Sequence, residues 1–296
     1  FYPENFRIND LAIELKSRGH DISCLTSIPN YPGGKFFDGY NIVKKRKENY
    51  KGIKIYRCLT WPRRNANAIN LFLNYLSFLV FASIKILKFK KDNFDIIFVY
   101  EPSPITVCLP AILLKKITLT PIVFWVLDLW PESLVSSNKI KTKFIPNLLE
   151  PIVKYIYNNC DKILVSSKGF IRSISKKSVS ESKITFFPQW AEKIFKPVEV
   201  QSIITSDIPK DSFKIMFAGN IGESQDFSSI IGAANLLKNN KKIHWIILGD
   251  GRKKSWLVNQ VIKFNLENCF HILGSYPLEK MPLFYSEADC MLFSLK

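Results

Sequence analysis

Residues 214–237, KIMFAGNIGESQDFSSIIGAANLL, constrain the fold more tightly than any other stretch. The run 215–218 is apolar with no polar alternation, the pattern of a strand covered on both faces of a parallel sheet. Gly219 and Gly222 break it, Asp226 and Ser228 offer helix caps, and Ile230, Ile231, Ala234 and Leu237 recur at helical spacing. A glycine turn between a buried strand and a helix start is expected to leave main-chain N–H groups and the positive end of the helix dipole facing outward, a seat for a phosphate. A plain tight turn is the competing reading. A second turn of the same kind, LGDGR at 248–252 after the buried run 243–248, favours the phosphate, because two such turns on neighbouring strands make one ligand edge.

Strand and helix alternate along the rest of the chain. Residues 5–18 put Ile8, Leu11, Ala12 and Leu15 on one helical face, Gly19 stops that helix, and 21–26 read as a strand. The runs 95–100 (DIIFVY) and 121–127 (PIVFWVL) read as doubly buried strands, and 163–167 and 184–187 continue the series. The pattern predicts an α/β chain of two Rossmann-like, doubly wound parallel-sheet domains: 1–187, a linker at 188–197, and 198–296. Because a helix comes first and an apolar strand last, both ends look cut. A strand and its turn are expected before Phe1, and the second domain stops about one strand short of completion.

Residues 41–60 alternate in the manner of a hairpin turning at Lys51 and Gly52, with Lys44, Lys45, Arg46 and Lys47 along its edge. Residues 69–86 are apolar nearly all round and run into Lys85, Lys88, Lys90 and Lys91. Three readings stand for them: a helix packed between sheet and neighbours, an interfacial helix with snorkelling lysines, or a span, for which roughly 20 residues are wanted.

A hydrophobic content of 47% with 23% charged residues excludes a disordered chain. The net charge of +17 is lopsided: 29 Lys and Arg face 14 Asp and Glu in residues 1–190, against 13 and 11 in 191–296. A basic first domain suits anionic lipid headgroups, a phosphorylated acceptor or nucleic acid, unless the lysines are mere compositional drift. The six cysteines form no CxxC or Cys/His cluster, which favours buried thiols in a reducing compartment.

Among residues able to do chemistry, Asp128 stands at the carboxyl end of a buried strand, stiffened by Trp130 and Pro131. Glu132 either shares that site or caps the following helix. Glu4 and Arg7 open the first helix at the same edge, where an arginine can pair with a phosphate or with Glu4 itself. The loop PNYPGG, holding Asn30 and Tyr31, mixes rigid prolines with flexible glycines as a ligand-facing loop does. The three histidines lack metal or triad spacing, and no Asp-x-Asp occurs. Phosphate is therefore expected to be held by N–H groups, helix dipoles and cations, with no metal.

In order along the chain, RGHDISCLT (18–26), PNYPGG (29–34), LDLWPESL (127–134), FAGNIGESQDF (217–227), LGDG (248–251) and LGSYPLEKMPLFYSEAD (273–289) resemble glycosyltransferase family 4. The resemblance is to the bacterial O-antigen, capsule and colanic-acid branch that includes fucosaminyltransferase-like proteins. It implies a GT-B fold, with an acceptor domain and a nucleotide-sugar domain facing across a cleft. It also implies metal-independent, retaining transfer of a sugar, a UDP-linked and N-acetylated amino sugar, to a polyprenyl-diphosphate-linked saccharide at the inner face of the bacterial plasma membrane, with no nucleic-acid partner and no cofactor. Donor contacts then fall to Gly219, Asn220, Gly222, Gln225, Gly249, Gly251, Arg252 and Tyr276, catalysis to Asp128 and Glu132, and acceptor contacts to Glu4, Arg7, Asn30 and Tyr31.

This sequence departs from the family at three places. Asn220 and Gln225 stand where an arginine and a lysine usually hold the diphosphate, and Asp128 stands where a histidine is usual. The acidic donor motif that the family places after the last strand would lie beyond Lys296. Two other classes remain open: a sugar-nucleotide epimerase of the same architecture, and a non-catalytic membrane-binding module.

Overall fold

The computed structural model describes residues 7–31, 33–136, 144–199 and 208–295. It divides into two compact units, one ending at Trp190 and one beginning at Ala191. The first unit runs α1 (Arg7–Ser17), β1 (Ser23–Ser27), β2 (Lys47–Tyr50), β3 (Ile53–Cys58), α2 (Ala68–Ile86), β4 (Ile97–Glu101), α3 (Leu109–Thr118), β5 (Ile122–Val126), α4 (Glu132–Ser136), α5 (Phe144–Asn159), β6 (Lys162–Val165), α6 (Lys168–Ser175) and β7 (Ile184–Phe186).

These strands form two sheets rather than one continuous wound sheet. One has the order β1-β3-β2, with β1 parallel and β2 antiparallel to β3; the other is all parallel, in the order β4-β5-β6-β7. Packing joins them where hydrogen bonds do not: Ile86 at the end of α2, Phe89 and Leu114 gather Leu25 and Tyr56 of the first sheet with Ile97 of the second. The order also corrects the reading of 95–100 as covered on both faces. β4 is an edge strand and Phe98 is partly exposed, whereas every β5 residue but Val123 is buried.

The hairpin at 47–58 shows how alternation is enforced. Ile53, Ile55 and Arg57 share the inward face, and Lys51 and Gly52 turn with positive φ. A guanidinium only 1% exposed is tolerable because everything near it is complementary. Arg57 Nε donates to Glu48 Oε2 at 2.6 Å, Nη1 donates to Ser27 O at 3.2 Å, and the ring of Tyr40 lies 4.9 Å away.

α2 begins at the cap Asn67, whose side chain accepts from Asn70 N at 2.9 Å. Apolar residues line both its faces. Asn74, Ala82 and Ile86 point inward, while Ile69, Phe72, Leu76, Val80 and Ile84 are exposed, so burial between sheet and neighbours holds for one side of the helix only. The helix, with the turn that extends it to Phe89, is long and apolar enough to cross a membrane by length and composition.

The second unit runs β8 (Phe213–Ala218), α7 (Phe227–Leu237), β9 (Ile243–Leu248), α8 (Lys254–Lys263), β10 (Phe270–Gly274), α9 (Met281–Ser286) and β11 (Cys290–Met291). Its sheet is parallel throughout, in the order β10-β9-β8-β11. Two apolar clusters cover it, one led by Phe227, Ile231, Trp245 and Leu257, the other by Met216, Ile246 and Phe284. β8 and β9 thus carry buried side chains on both faces, as their unbroken apolar runs require.

Replacing Arg57 by Ala strands the largely buried Glu48 carboxylate. It is expected to lower the unfolding free energy by about 3 kcal/mol, read by chemical denaturation; an unchanged midpoint would show the ion pair to be dispensable.

Candidate functional site

In the second unit three strand ends are knitted together by main-chain hydrogen bonds. Gly219 N donates to Leu248 O at 2.9 Å, Ile221 N to Asp250 O at 2.8 Å, and Gly249 N to Gly274 O at 2.7 Å. The chains run so close that a β-carbon on Gly249 would collide with Gly219 O, and one on Gly251 with Ile221 O. Both glycines also take φ values, +137° and +156°, that L side chains rarely adopt. The turns at 219–222 and 249–251 are therefore held against each other and against the end of β10 within this unit.

The main-chain N–H groups along that edge divide into spent and unspent ones. The N–H groups of Gly219, Ile221 and Gly222 are all spent, the last on Asn220 O at 3.0 Å. Among the described residues, the main-chain N–H groups of Glu223, Ser224 and Gln225 make no hydrogen bond within the protein. These three residues lead into α7, whose start is capped by Asp226: Oδ1 accepts from Ser229 N at 3.3 Å and Oδ2 from Ser229 Oγ at 2.5 Å.

Gly222 is buried against the Asn220 and Gln225 side chains, and the Gln225 Oε1 has no partner. Asn220 reaches across to the second turn, with its Oδ1 against Gly251. Lys253 and Glu223, which the sequence reading passed over, close the two turns with an ion pair at 3.0 Å. The only signal for them is that each stands beside a glycine turn. Asp250 is held below its ordinary pKa by the Gly251 N–H and by Lys254. Tyr276 is partly exposed, with its ring 4.4 Å from Phe284.

In the first unit the corresponding edge is acidic. Glu101, at the end of β4, is completely buried; its Oε2 accepts from Leu127 N at 3.3 Å and Asp128 N at 3.2 Å, while Oε1 has no partner. The buried carboxyl therefore fixes the main chain that presents Asp128, a role invisible in the sequence because it depends on β4 lying beside β5. Desolvation first, then the nearby Asp128 charge, raise the Glu101 pKa well above its usual value.

Glu132 is engaged elsewhere: its carboxylate meets Lys177 Nζ at 2.9 Å and accepts from Ser173 Oγ at 2.8 Å, and Lys177 also pairs with Glu150. Arg7 Nε donates to Trp190 O at 2.9 Å, and its charge bears on Tyr100 at the end of β4, so it does sit at this edge. Glu4 lies outside the described residues. Asn30 is buried and structural, its Nδ2 donating to Ile28 O at 2.8 Å and its Oδ1 accepting from Arg63 N at 3.2 Å, while Tyr31 beside it is exposed.

Residues 201–296 match the family model described as Glycosyl transferases group 1, and these residues fall in the second unit. "Putative colanic acid biosynthesis glycosyl transferase WcaI" of Escherichia coli K12 is 24% identical over 94% of this chain and 69% of its own length. "Probable glycosyltransferase WbjE" of Pseudomonas aeruginosa is 30% identical over 58% of this chain and 44% of its own length, so the chain spans less than half of that relative. Among solved structures, Anabaena Alr3699/HepE in complex with UDP superposes with a TM-score of 0.61 at 12% identity, over 92% of this chain and 73% of that one. WaaG, a glycosyltransferase involved in lipopolysaccharide biosynthesis, superposes with a TM-score of 0.62 at 9% identity, over 100% and 73%. Similarity at this level shows the fold class, the GT-B type with two Rossmann-like domains.

The state of Glu101 has a consequence for stability. A carboxyl that stays neutral in the folded chain keeps a proton that the unfolded chain releases above its ordinary pKa, so its contribution is complete below that value and is lost as pH rises toward the elevated one. Glu101→Gln, which needs no proton, is therefore expected to gain on the wild type in thermal unfolding at about pH 8 relative to about pH 5. An equal difference at the two pH values would show that Glu101 ionises normally in the fold.

Proposed function

We propose that this chain is part of a glycosyltransferase that moves a sugar from a nucleoside-diphosphate donor to a lipid-linked saccharide in bacterial surface-polysaccharide synthesis. The observation that carries the reading is the interlocked pair of glycine turns with unspent amides leading into α7. Such an edge suits a diphosphate, and amides and a helix dipole aimed at a leaving group stabilise the charge that grows on it without reorganising. UDP is the nucleotide favoured by the complexes known for similar folds. The name of the Escherichia coli relative favours colanic-acid or related polysaccharide assembly.

The finer reading is a family 4 enzyme that transfers an N-acetylated amino sugar with retention of configuration. Arg252, Lys253 and the amides supply the charge that a metal supplies in other transferases. The Gly249 to Arg252 turn and Tyr276 take the base and ribose. Asp128, fixed from behind by Glu101, orients the acceptor hydroxyl or stabilises positive charge at the anomeric carbon. The basic first unit and the exposed face of α2 seat the protein peripherally on the anionic inner face of the plasma membrane.

Two substitutions separate the roles. Gly249→Ala should abolish UDP binding, measured by calorimetry, because the added carbon has nowhere to go. Asp128→Asn in the full-length protein should abolish sugar transfer and leave UDP binding unchanged. Transfer by Asp128→Asn at the wild-type rate would remove Asp128 from the mechanism, and turnover of the donor without any acceptor would point to an epimerase instead.

A further inference from the structure

Two histidines of the second unit face each other across β9 and β10. His244 Nδ1 and His271 Nε2 are 3.0 Å apart, and His244 Nε2 lies 3.3 Å from Lys241 O. The ring planes differ by only 14°, and the ring centres stand 5.3 Å apart. That separation is the N···N distance plus one ring radius at each end. The rings therefore lie end to end, with a nearly straight hydrogen bond between them, and not face to face. Lys241 O can only accept, so His244 Nε2 carries a hydrogen; in the neutral ring Nδ1 is then the acceptor, and His271 Nε2 donates to it. The donors thus run one way, from His271 through His244 to the main chain.

His244 is buried and His271 partly so. Alternation along β9 puts His244 on the face of Ile246 and Leu248, which Phe284 of α9 covers. On β8 its register partner is Lys214, whose buried side chain is turned to Lys210 O at 3.1 Å and Ser212 O at 3.3 Å. Lys241 and Lys242 stand in the turn before β9, and Glu267 in the turn before β10. Asp289, ahead of β11, accepts from Lys214 N at 2.7 Å. α9 packs on this face through Met281, Phe284 and Tyr285, and Glu287 follows it. Burial pushes the Tyr285 hydroxyl up in pKa, so it stays neutral. Whatever these groups contribute, the geometry between the two rings sets a limit.

One added proton can be carried on His271, and the imidazolium–imidazole bond that results is charge-assisted. A second would put an N–H on both facing nitrogens, 3.0 Å apart, with like charges behind them. We propose that the His244–His271 bond is an acid-sensitive clasp between β9 and β10, kept while the pair is neutral or singly charged and opened when both rings are charged. The two rings then titrate as one unit. The far ends of the same strands are joined from Gly249 N to Gly274 O, so the clasp and the candidate donor edge share a framework. Nothing in the clasp depends on the proposed transfer reaction.

Nitrogen-15 NMR of the full-length protein counts the protons, with the two rings identified by the signals lost in His244→Gln and His271→Gln. On acidification the folded pair should gain one proton and keep the His271 Nε2–H signal, and should lose that signal when the second proton enters. Unfolded, the two rings take up two protons around pH 6.5, the usual histidine value. The fold admits one, so its stability is complete above that pH and falls as pH drops below it. His271→Gln lifts the limit, because its amide can donate to His244 Nδ1 or turn its oxygen toward a protonated one. In urea denaturation the folding equilibrium of the wild type should therefore fall about tenfold more per pH unit below about pH 6.5 than that of His271→Gln. Uptake of two protons with the bond intact, or parallel pH courses for wild type and variant, would each overturn the clasp. If His271→Gln does not fold, the proton count on the wild type decides alone.

Discussion

The close approach of main chain to main chain at the carboxyl ends of β8, β9 and β10 underlies the candidate donor site. Hydrogen bonds from Gly219 to Leu248 and from Gly249 to Gly274 continue the parallel ladder past the last strand residues, so the turns become an extension of the sheet. Only residues without side chains can be drawn that tightly together. The consequence is chemical as well as geometric: the amides of Gly219, Ile221, Gly222 and Gly249 are spent in holding the turns together, whereas those of Glu223, Ser224 and Gln225, at the approach to α7, are not.

The first unit solves a different problem with buried ionisable side chains. Glu101 holds two amides of the loop that carries Asp128, and Arg57 holds Glu48 and the carbonyl of Ser27. A buried ionisable group is costly unless its surroundings are fixed, so each of these side chains ties a loop or an edge strand to the sheet behind it. Glu132, although exposed, makes a tie of the same kind, its carboxylate joining the start of α4 to Ser173 of α6 and to the buried Lys177.

Charge and apolar surface in the first unit are organised around α2. The net positive charge of residues 1–190 was plain from composition, but composition does not say where a cation lacks a counterion. Lys44 is exposed to solvent, whereas Lys45 and Lys47 lie over the rings of Tyr40 and Tyr56, and Arg63 and Arg64 lie against aromatic rings beside the exposed apolar stripe of α2. A flexible lysine in water and a stacked, unpaired arginine are different physical objects, although a sequence counts them alike.

What the sequence by itself determined is everything that depends on neighbours along the chain. That includes the alternation of apolar run, turn and helix, the hairpin turning at Lys51 and Gly52, the glycine turns at 219–222 and 248–252, and the cap at Asp226. Periodicity and backbone freedom are local properties. The tertiary structure decided which strands lie side by side, and with it the division of the first unit into two sheets, the exposure of β4 at an edge, the burial of Glu101 beneath Asp128, and which N–H groups remain unspent. It also decided that α2 turns Asn74 inward and Phe72 outward, against the ordinary rule. A side chain's partner is fixed by what the fold brings to it from elsewhere, and no stretch of sequence, read alone, contains that.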